Sequence, residues 1–375
     1  MTLSPFAALI NGKRVIVCCG AGGVGKTTVS SSVALSAART GLRVVAITVD
    51  PSRRLAEALG VQGNLDQPTP VSVERLRGVG VVPPGSLSVW LLDPQRVCDR
   101  VVQTVSPNEA ARRQLLGNRL YQNVSALVAG MHEYTAVEAL HGFLRDDRYD
   151  LIVLDTPPSK NALRFLETPS RANSFLDPRI MNFFIPSQDS ALHRVGAKLI
   201  NKILDLGLGQ KSREELQEFL SLFQNVLRHL NRNQEDMRRF FASPAASFLL
   251  VTSPAQAAFD ETQSFARRAQ ELGLSIGGIV LNQTQAESSS LALPEDPLGP
   301  AAPAAAQVAL HHLLGLAILE DSAAAHDRAL GTALRTWLDP KLPLWTLPRL
   351  AQDDADLGAL GQLADRLSRH EDGAC

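Results

Sequence analysis

The amino-acid sequence predicts an α/β fold in which helices cover both faces of a doubly wound, mostly parallel sheet. Short apolar runs alternate with longer amphipathic stretches along the 375 residues, which is the order that produces strand–helix–strand units. The apolar runs are rich in β-branched residues and do not alternate with polar ones, as is typical of strands buried on both faces. A chain of this length can bury a substantial core.

The apolar runs predict seven strands, and the stretches between them predict the main helices. The strands are expected at residues 14–19, 43–50, 87–93, 149–155, 247–253, 275–282 and 343–347. The helices are expected at about 25–39, 107–145, 160–167, 254–272 and 355–369. Residues 288–307 are rich in Ser, Pro and Ala, which predicts an exposed loop that enters a helix.

Residues 170–245 interrupt the alternation and predict a helical insertion within one domain of residues 1–375. In ELQEFLSLFQNVLRHL and in LHRVGAKLINKIL, apolar side chains recur at the spacing of one helix face. The first of these faces contains Leu216, Phe219, Leu220, Phe223, Val226, Leu227 and Leu230.

Composition excludes several classes of protein. The net charge of −1 argues against a dominant surface for nucleic acid or acidic membrane. We find no run of about 18 uncharged apolar residues and no signal peptide, and therefore expect a cytoplasmic protein without a membrane span. The cysteines show no metal-binding spacing. Cys18 and Cys19 adjoin on a strand and should point to opposite faces as small buried side chains.

The stretch GAGGVGKTT carries the strongest chemical signal, because it follows a strand, precedes a helix and matches G-x-x-x-x-G-K-[ST]. Glycines let backbone N–H groups approach phosphates, and the helix start adds its positive dipole end. Lys26 is expected at the β- and γ-phosphates, and Thr27 as a ligand of Mg²⁺. The sheet is therefore expected to be of the P-loop NTPase type. The predicted nucleotide-binding residues are Gly20, Ala21, Gly22, Gly23, Val24, Gly25, Lys26, Thr27 and Thr28.

Three polar residues end other predicted strands at the edge where ligands bind in such sheets. Asp50 either orients the water that attacks the γ-phosphate or caps the next helix. Asp155 is expected to hold Mg²⁺ as a Walker-B carboxylate, the alternative being an ordinary strand-end residue. The amide of Asn282 either contacts the adenine edge or forms a turn.

These stretches together resemble the deviant-Walker-A ATPases of the ArsA type, which include arsenite-pump and tail-anchored-protein targeting ATPases. The resemblance spans GAGGVGKTT, VDPSRRLAEALG, LDTPPSKNALRFLETP, VTSPAQAAFDET, VLNQ and LPRL. The stretch NRLYQNVSALVAGMHEYTAVEAL is similar to the bacterial ArsA-like branch in particular.

The resemblance implies roles for individual residues. Asp50 matches the switch I aspartate that positions the attacking water, and Asp155 matches the switch II aspartate near Mg²⁺. Asn282 matches the adenine-contacting asparagine, and Pro348 matches more loosely a loop near the base. Family members are homodimers that close around ATP, hydrolyse its phosphoric anhydride bond and couple this to a helical subdomain, whose place residues 170–245 occupy.

The sequence departs from the family pattern in three places. Ala21 stands where the signature lysine would reach the partner's γ-phosphate, and we hypothesise that Arg53 or Arg54 supplies a replacement cation. Lys160–Asn161 replaces the Gly-His of the targeting enzymes, as an exposed pair or near phosphate. The chain contains no CxxC, so no dimer-bridging zinc is expected.

Three functions remain open at the level of the sequence. The first is an ATP-switched homodimer that acts on a hydrophobic protein client or a membrane-protein partner. The second is a regulatory ATP-binding switch with little turnover, and the third is an oxyanion (arsenite) export ATPase, which four scattered cysteines disfavour. The apolar residues that form either a client groove or the insertion's own core are Phe175, Leu176, Ile180, Met181, Phe183, Phe184 and Ile185.

Overall fold

One eight-stranded sheet organises the part of the chain that the computed structural model describes. The described residues are 3–49, 54–61, 67–118, 121, 132–156, 210–285, 303–337, 339, 341–350 and 356–369.

The described segments form these strands and helices. The strands are β1 (Val15–Gly20), β2 (Arg43–Thr48), β3 (Thr69–Pro70), β4 (Ser86–Leu91), β5 (Leu151–Asp155), β6 (Ala246–Thr252), β7 (Ile276–Thr284) and β8 (Leu344–Pro348). The helices are α1 (Pro5–Ile10), α2 (Lys26–Arg39), α3 (Arg54–Ala58), α4 (Val73–Gly78), α5 (Pro94–Val105), α6 (Glu109–Gly117), α7 (His132–Leu144), α8 (Gln210–Phe241), α9 (Gln256–Glu271), α10 (Ala304–Trp337) and α11 (Leu357–Ser368).

The strand order is β3-β4-β2-β5-β1-β6-β7-β8, and every neighbouring pair is parallel except the edge pair β3–β4. Strand β1 therefore lies in the interior of the sheet, between β5 and β6. Because parallel strands end at the same edge, the last residues of β1, β2, β5, β7 and β8 are brought to one side of the molecule.

The observed fold confirms the predicted α/β class, and all seven predicted strands are present. The short strand β3 and the helices α1, α4 and α5 were not expected, whereas α3 lies where a helix was expected after Asp50. The single helix predicted over 107–145 is seen as two described helices, α6 and α7. The helix predicted at 160–167 lies outside the described residues.

Two hydrophobic cores cover the two faces of the sheet. One joins the strands to α1, α2, α3, α4 and α11, and the other joins them to α7, α8, α9 and α10. Cys18 belongs to the first core and Cys19 to the second, which confirms that these adjacent side chains point to opposite faces. Both cysteines are fully buried.

Helix α8 is the described portion of the predicted helical insertion. Its Phe219, Phe223 and Val226 form a third apolar cluster with residues of α5 and α6, and Leu216, Leu220 and Leu230 pack against this cluster. The predicted apolar face therefore packs within the molecule wherever its side chains are described. Residues 170–209 lie outside the described segments, so the boundaries of the insertion stay a prediction.

Helix α10 is the longest described helix, with 34 residues. Leu330 and Leu334 in its C-terminal half are buried, and Leu334 belongs to a core of the sheet, whereas Leu313, Ile318 and Leu319 in its N-terminal half are exposed. By length and composition α10 is the one described helix that could cross a membrane. Length and composition alone do not show a membrane span, so the expectation of a chain without one stays a prediction.

Candidate nucleotide-binding site

The phosphate loop begins where β1 ends, in the interior of the sheet. A methyl group at Gly20 would place its carbon 2.0 Å from the carbonyl oxygen of Val251, so only glycine fits between β1 and β6. Gly25 has φ of +83°, in the left-handed region that favours glycine, and helix α2 starts at the next residue. The loop thus delivers the open N-terminus of a 14-residue helix to the sheet edge, which is a favourable site for an anion.

Lys26 lies within this loop and is 8% exposed. Its Nζ donates a hydrogen bond of 2.8 Å to the backbone oxygen of Ala21. The bond runs from Lys26 back to Ala21, the second residue of the loop, so it holds the ammonium group across the curve of the backbone. This placement agrees with the predicted role of Lys26 at the phosphates.

Thr27 and Asp155 meet directly beside the loop. The Thr27 hydroxyl donates a hydrogen bond of 2.7 Å to Oδ2 of Asp155, across 128 residues of sequence. Asp155 is 1% exposed at the end of β5. A hydroxyl oxygen and a carboxylate are the hard oxygen ligands that Mg²⁺ prefers. The donor set therefore fits the predicted Mg²⁺ site.

Thr48 is a site residue that the sequence reasoning missed. Its hydroxyl donates a second hydrogen bond, of 3.2 Å, to Oδ2 of Asp155, because β2 and β5 pair in a register that sets Thr48 opposite Asp155. The signal available in the sequence was its position near the end of an apolar strand, two residues before Asp50. Thr48 and Thr27 together fix the orientation of the carboxylate.

Asn282 lies beside the loop, and Pro348 lies further along the same edge of the sheet. Asn282 is 4% exposed, and its Nδ2 donates a hydrogen bond of 2.9 Å to the backbone oxygen of Val24. Pro348 is half-buried at the end of β8, in register with Thr284 of β7. The structure thus brings both residues to the sheet edge that holds the loop. Their contacts with adenine stay predictions.

Several predicted residues of the switch regions are outside the described residues, namely Asp50, Arg53, Lys160 and Asn161. The chain does approach the site before Asp50, because the N–H of Val49 donates a hydrogen bond of 3.3 Å to the Asp155 backbone oxygen. Arg54 is exposed at the start of α3. The proposed catalytic role of Asp50 and the replacement cation are therefore untested.

Ala21 occupies the position of the missing signature lysine. Its side chain is 7% exposed and belongs to the core that contains α2. The methyl group contributes packing, whereas the backbone oxygen of the same residue accepts the bond from Lys26. The cradle itself is therefore complete without a lysine at this position.

The described cysteines behave as buried apolar side chains. Burial raises the pKa of Cys19 to about 12 and raises the pKa of Cys18 well above its ordinary value. Cys98, also buried, has its pKa raised to about 12 by the same cause. Within the described segments, no group of three or more His, Cys, Asp or Glu side chains could hold a metal ion.

Comparison with known proteins yields a family match and several relatives. The family model described as anion-transporting ATPase matches residues 13–292. An uncharacterised protein of Streptomyces coelicolor is 32% identical over 42% of this chain and 37% of its own length. A putative arsenical pump-driving ATPase of Aquifex aeolicus is 24% identical over 42% of this chain and 38% of its own. An ATPase ASNA1 homolog of Paramecium tetraurelia is 25% identical over 70% of this chain and 73% of its own.

The matches to the first two relatives thus span less than half of those proteins, whereas the family model spans well over half of this chain. The loop, its lysine and the Thr27–Asp155 pair all lie within the matched residues. The chain therefore belongs to the ArsA-type anion-transporting ATPase family, as its sequence motifs predicted.

Proposed function

We propose that the protein is a Mg²⁺-dependent ATP hydrolase that cleaves the β–γ phosphoric anhydride bond of ATP. The observation that carries the proposal is the hydrogen bond between Thr27 and the buried carboxylate of Asp155 beside a complete phosphate loop. A strand-end carboxylate that contacts the loop hydroxyl is the arrangement that phosphoryl-transfer enzymes use for Mg²⁺. A glycine-rich turn without nucleotide function would not require this pair.

Each residue of the site has a separate role in the proposed reaction. The backbone N–H groups of the loop and the start of α2 bind the phosphates, and Lys26 neutralises charge on the β- and γ-oxygens. Thr27 and Asp155 would hold Mg²⁺, which supplies further charge stabilisation at those oxygens. Asp50 is proposed to orient the attacking water, as in the family it resembles.

The coupling of ATP to a partner is proposed to run through α8. Its His229 and Asn233 contact the Glu138 carboxylate of α7, at 3.1 Å from the imidazole and 2.8 Å from the amide. The C-terminal Phe241 of α8 is fully buried, five residues before β6, which pairs with β1. The end of α8 therefore packs in the core beside β6, the neighbour of the strand that leads into the phosphate loop. A nucleotide-dependent homodimer in which this helix responds to ATP is the arrangement we propose.

A second candidate is a regulatory ATP-binding switch with little turnover. Ala21 favours it, because a buried methyl group cannot provide the cation that the signature lysine contributes in trans. Binding would be preserved under this alternative, since the cradle and Lys26 do not depend on that side chain.

The cargo is proposed to be a hydrophobic protein segment or a membrane-protein partner, not an oxyanion. One relative is named as a putative arsenical pump-driving ATPase. A trivalent arsenic site needs several converging thiolates. Cys18 and Cys19 lie on opposite faces of the sheet, and burial keeps both protonated by raising the pKa of each.

The test is to measure phosphate release and ATP-induced association side by side on purified protein with Mg-ATP. The wild type, Lys26→Ala and the control Lys341→Ala are compared, because Lys341 is an exposed cation three residues before β8, at the opposite edge of the sheet. We expect turnover by the wild type and the control, and none by Lys26→Ala. Association without phosphate release would favour the switch. Equal nucleotide binding by all three proteins would refute the site.

A further inference from the structure

The end of β7 contains an unusual backbone conformation beside the phosphate loop. Gln283 has φ of +63° and is the one non-glycine residue with positive φ among the described segments. The pairing of β7 with β8 shifts register between Leu281 and Thr284, so the strand bulges at this point. A left-handed conformation is costly for a residue with a long side chain, and such strain persists only where surrounding contacts enforce it.

The bulge allows two successive side chains to reach the same loop. Asn282 Nδ2 donates to the oxygen of Val24 at 2.9 Å, and Gln283 Nε2 donates to the oxygen of Gly23 at 3.1 Å. Side chains that follow each other in a regular strand point to opposite faces. Because Gln283 is left-handed, both side-chain amides can donate hydrogen bonds to consecutive carbonyls of the loop.

Gripping these carbonyls also orients the groups that bind phosphate. In a trans peptide the carbonyl of one residue and the N–H of the next point in opposite directions across a rigid plane. Holding the oxygens of Gly23 and Val24 from outside therefore sets the directions of the N–H groups of Val24 and Gly25. These are loop amides of the kind that cradle an anion.

The bulge is itself held from two sides. On the β8 side, the Thr284 hydroxyl donates to the Leu347 oxygen at 3.1 Å, and the Arg349 N–H donates to the Thr284 oxygen at 3.0 Å. On the other side, Oδ2 of Asp327 in α10 accepts a hydrogen bond of 2.6 Å from the Gln285 N–H. Asp327 is 5% exposed. A buried carboxylate that accepts a backbone N–H forms one of the stronger classes of hydrogen bond.

We propose that Gln283 and Asp327 are positioning residues for the nucleotide site. Asp327 anchors the end of β7 to α10, and Gln283 transmits this anchor to the phosphate loop by orienting its amides. The inference rests on the proposed function, because the amides matter only if they bind phosphate. The proposal also implies that a displacement of α10 would change nucleotide affinity through the contacts of Asp327, Gln285 and Gln283.

The substitution Gln283→Gly separates positioning from mere stability. Glycine adopts a positive φ without strain, so the fold should be as stable as the wild type or more so. The hydrogen bond from the Gln283 side chain to the Gly23 oxygen is nevertheless lost. We expect the dissociation constant for Mg-ATP to rise about tenfold, as the loss of one hydrogen bond in the site implies. KM should rise with kcat little changed, because the amides bind phosphate in both ground and transition states.

The substitution Asp327→Ala should weaken Mg-ATP binding by a similar factor, whereas Asp327→Asn should retain most of the affinity because its amide oxygen still accepts from Gln285. The double variant Gln283→Gly/Asp327→Ala should bind no worse than the weaker single variant, since both act through one element. Titration with a fluorescent ATP analogue and thermal melting are measured on every variant of the full chain.

Two results would overturn the inference in distinguishable ways. If the wild type binds Mg-ATP and Gln283→Gly binds it equally well, Gln283 has no positioning role and the proposed function stands. If the wild type itself fails to bind Mg-ATP, the proposed function fails and the positioning role fails with it. Additive losses in the double variant would show that Asp327 does not act through the β7 bulge.

Discussion

At the scale of single residues, the site is organised around one buried oxygen atom. Oδ2 of Asp155 accepts hydrogen bonds from the hydroxyls of both Thr27 and Thr48. A buried carboxylate is tolerated only when it is well hydrogen-bonded. The two threonines therefore stabilise the charge and fix its direction, and they connect three elements, namely α2, β2 and β5.

Replacing Thr48 by valine tests this arrangement. Valine has nearly the same shape but no donor, so Asp155 keeps its place and loses one of its orienting bonds. We expect a several-fold rise in the Mg²⁺ concentration needed for half-maximal ATP turnover, and a loss of about 1–2 kcal/mol in the free energy of unfolding. Thr48→Ser, which retains the hydroxyl, is the control. An unchanged Mg²⁺ requirement in Thr48→Val would contradict the role given to Thr48.

The raised pKa values of the buried cysteines predict how slowly these residues react with alkylating reagents. Because the pKa of Cys19 is raised to about 12, its reactive thiolate should amount to only about one part in ten thousand at pH 8. We expect Cys18, Cys19 and Cys98 to resist alkylation in the native protein at pH 8 and to react fully in denaturant. Peptide mapping by mass spectrometry measures this. Rapid labelling of Cys19 in the native state would show that its strand is open to solvent.

At the scale of elements, α10 consists of two halves with different surroundings. Leu334 in the C-terminal half is fully buried in the core shared with α7, α8 and α9, whereas Leu316 in the N-terminal half is 57% exposed. The buried half also carries the Asp327 contact with the end of β7. One continuous helix thus joins an exposed apolar segment to the vicinity of the nucleotide site.

The two halves should respond differently to the same substitution. We expect Leu334→Ala to lower the free energy of unfolding by about 2–5 kcal/mol, because it leaves a cavity in a packed core. Leu316→Ala should change it by less than about 0.5 kcal/mol, as is usual for an exposed position. Urea denaturation followed by circular dichroism compares them. Equal losses would mean that the N-terminal half is packed in solution.

At the scale of the whole molecule, the strand order places the parts of the site on one edge of the sheet. Strands β2, β5 and β1 are adjacent, so Thr48, Asp155 and the loop after Gly20 meet although they are distant in the chain. Strands β7 and β8 bring Asn282 and Pro348 to the same edge. Binding at this edge is therefore expected to stabilise both cores together.

Thermal melting with and without Mg²⁺ tests whether Mg-ATP binds at this edge. At 100 times the dissociation constant, Mg-ATP should stabilise the wild type by about 2.7 kcal/mol, and chelation with EDTA should remove most of this gain. Asp155→Asn should show a smaller gain that EDTA leaves almost unchanged, because its amide is a poor Mg²⁺ ligand. A gain in the wild type that is insensitive to EDTA would mean that ATP binds without the ion.

Much of the fold and part of the site were predictable. The buried strands were evident because parallel strands covered on both faces are continuous apolar runs. Asp155 was predictable because it follows such a run directly. Strand β3 was missed because its two residues, Thr69–Pro70, are too short to form a pattern. Most of α10 was missed because Ser-, Pro- and Ala-rich residues precede it and its apolar residues lie on all sides.

The sequence by itself determined the phosphate loop, its lysine and the order of the strands along the chain. These features depend on local spacing, on backbone freedom at glycine and on apolar runs, all of which can be recognised in a linear string. Only the tertiary structure decided that Thr48 orients Asp155, that Asn282 and Gln283 grip the loop, and that Asp327 anchors them. These contacts join residues that are far apart in the sequence. The register between β2 and β5 brings Thr48 to Asp155, and the packing of the loop and of α10 against the end of β7 forms the others, neither of which a local pattern specifies.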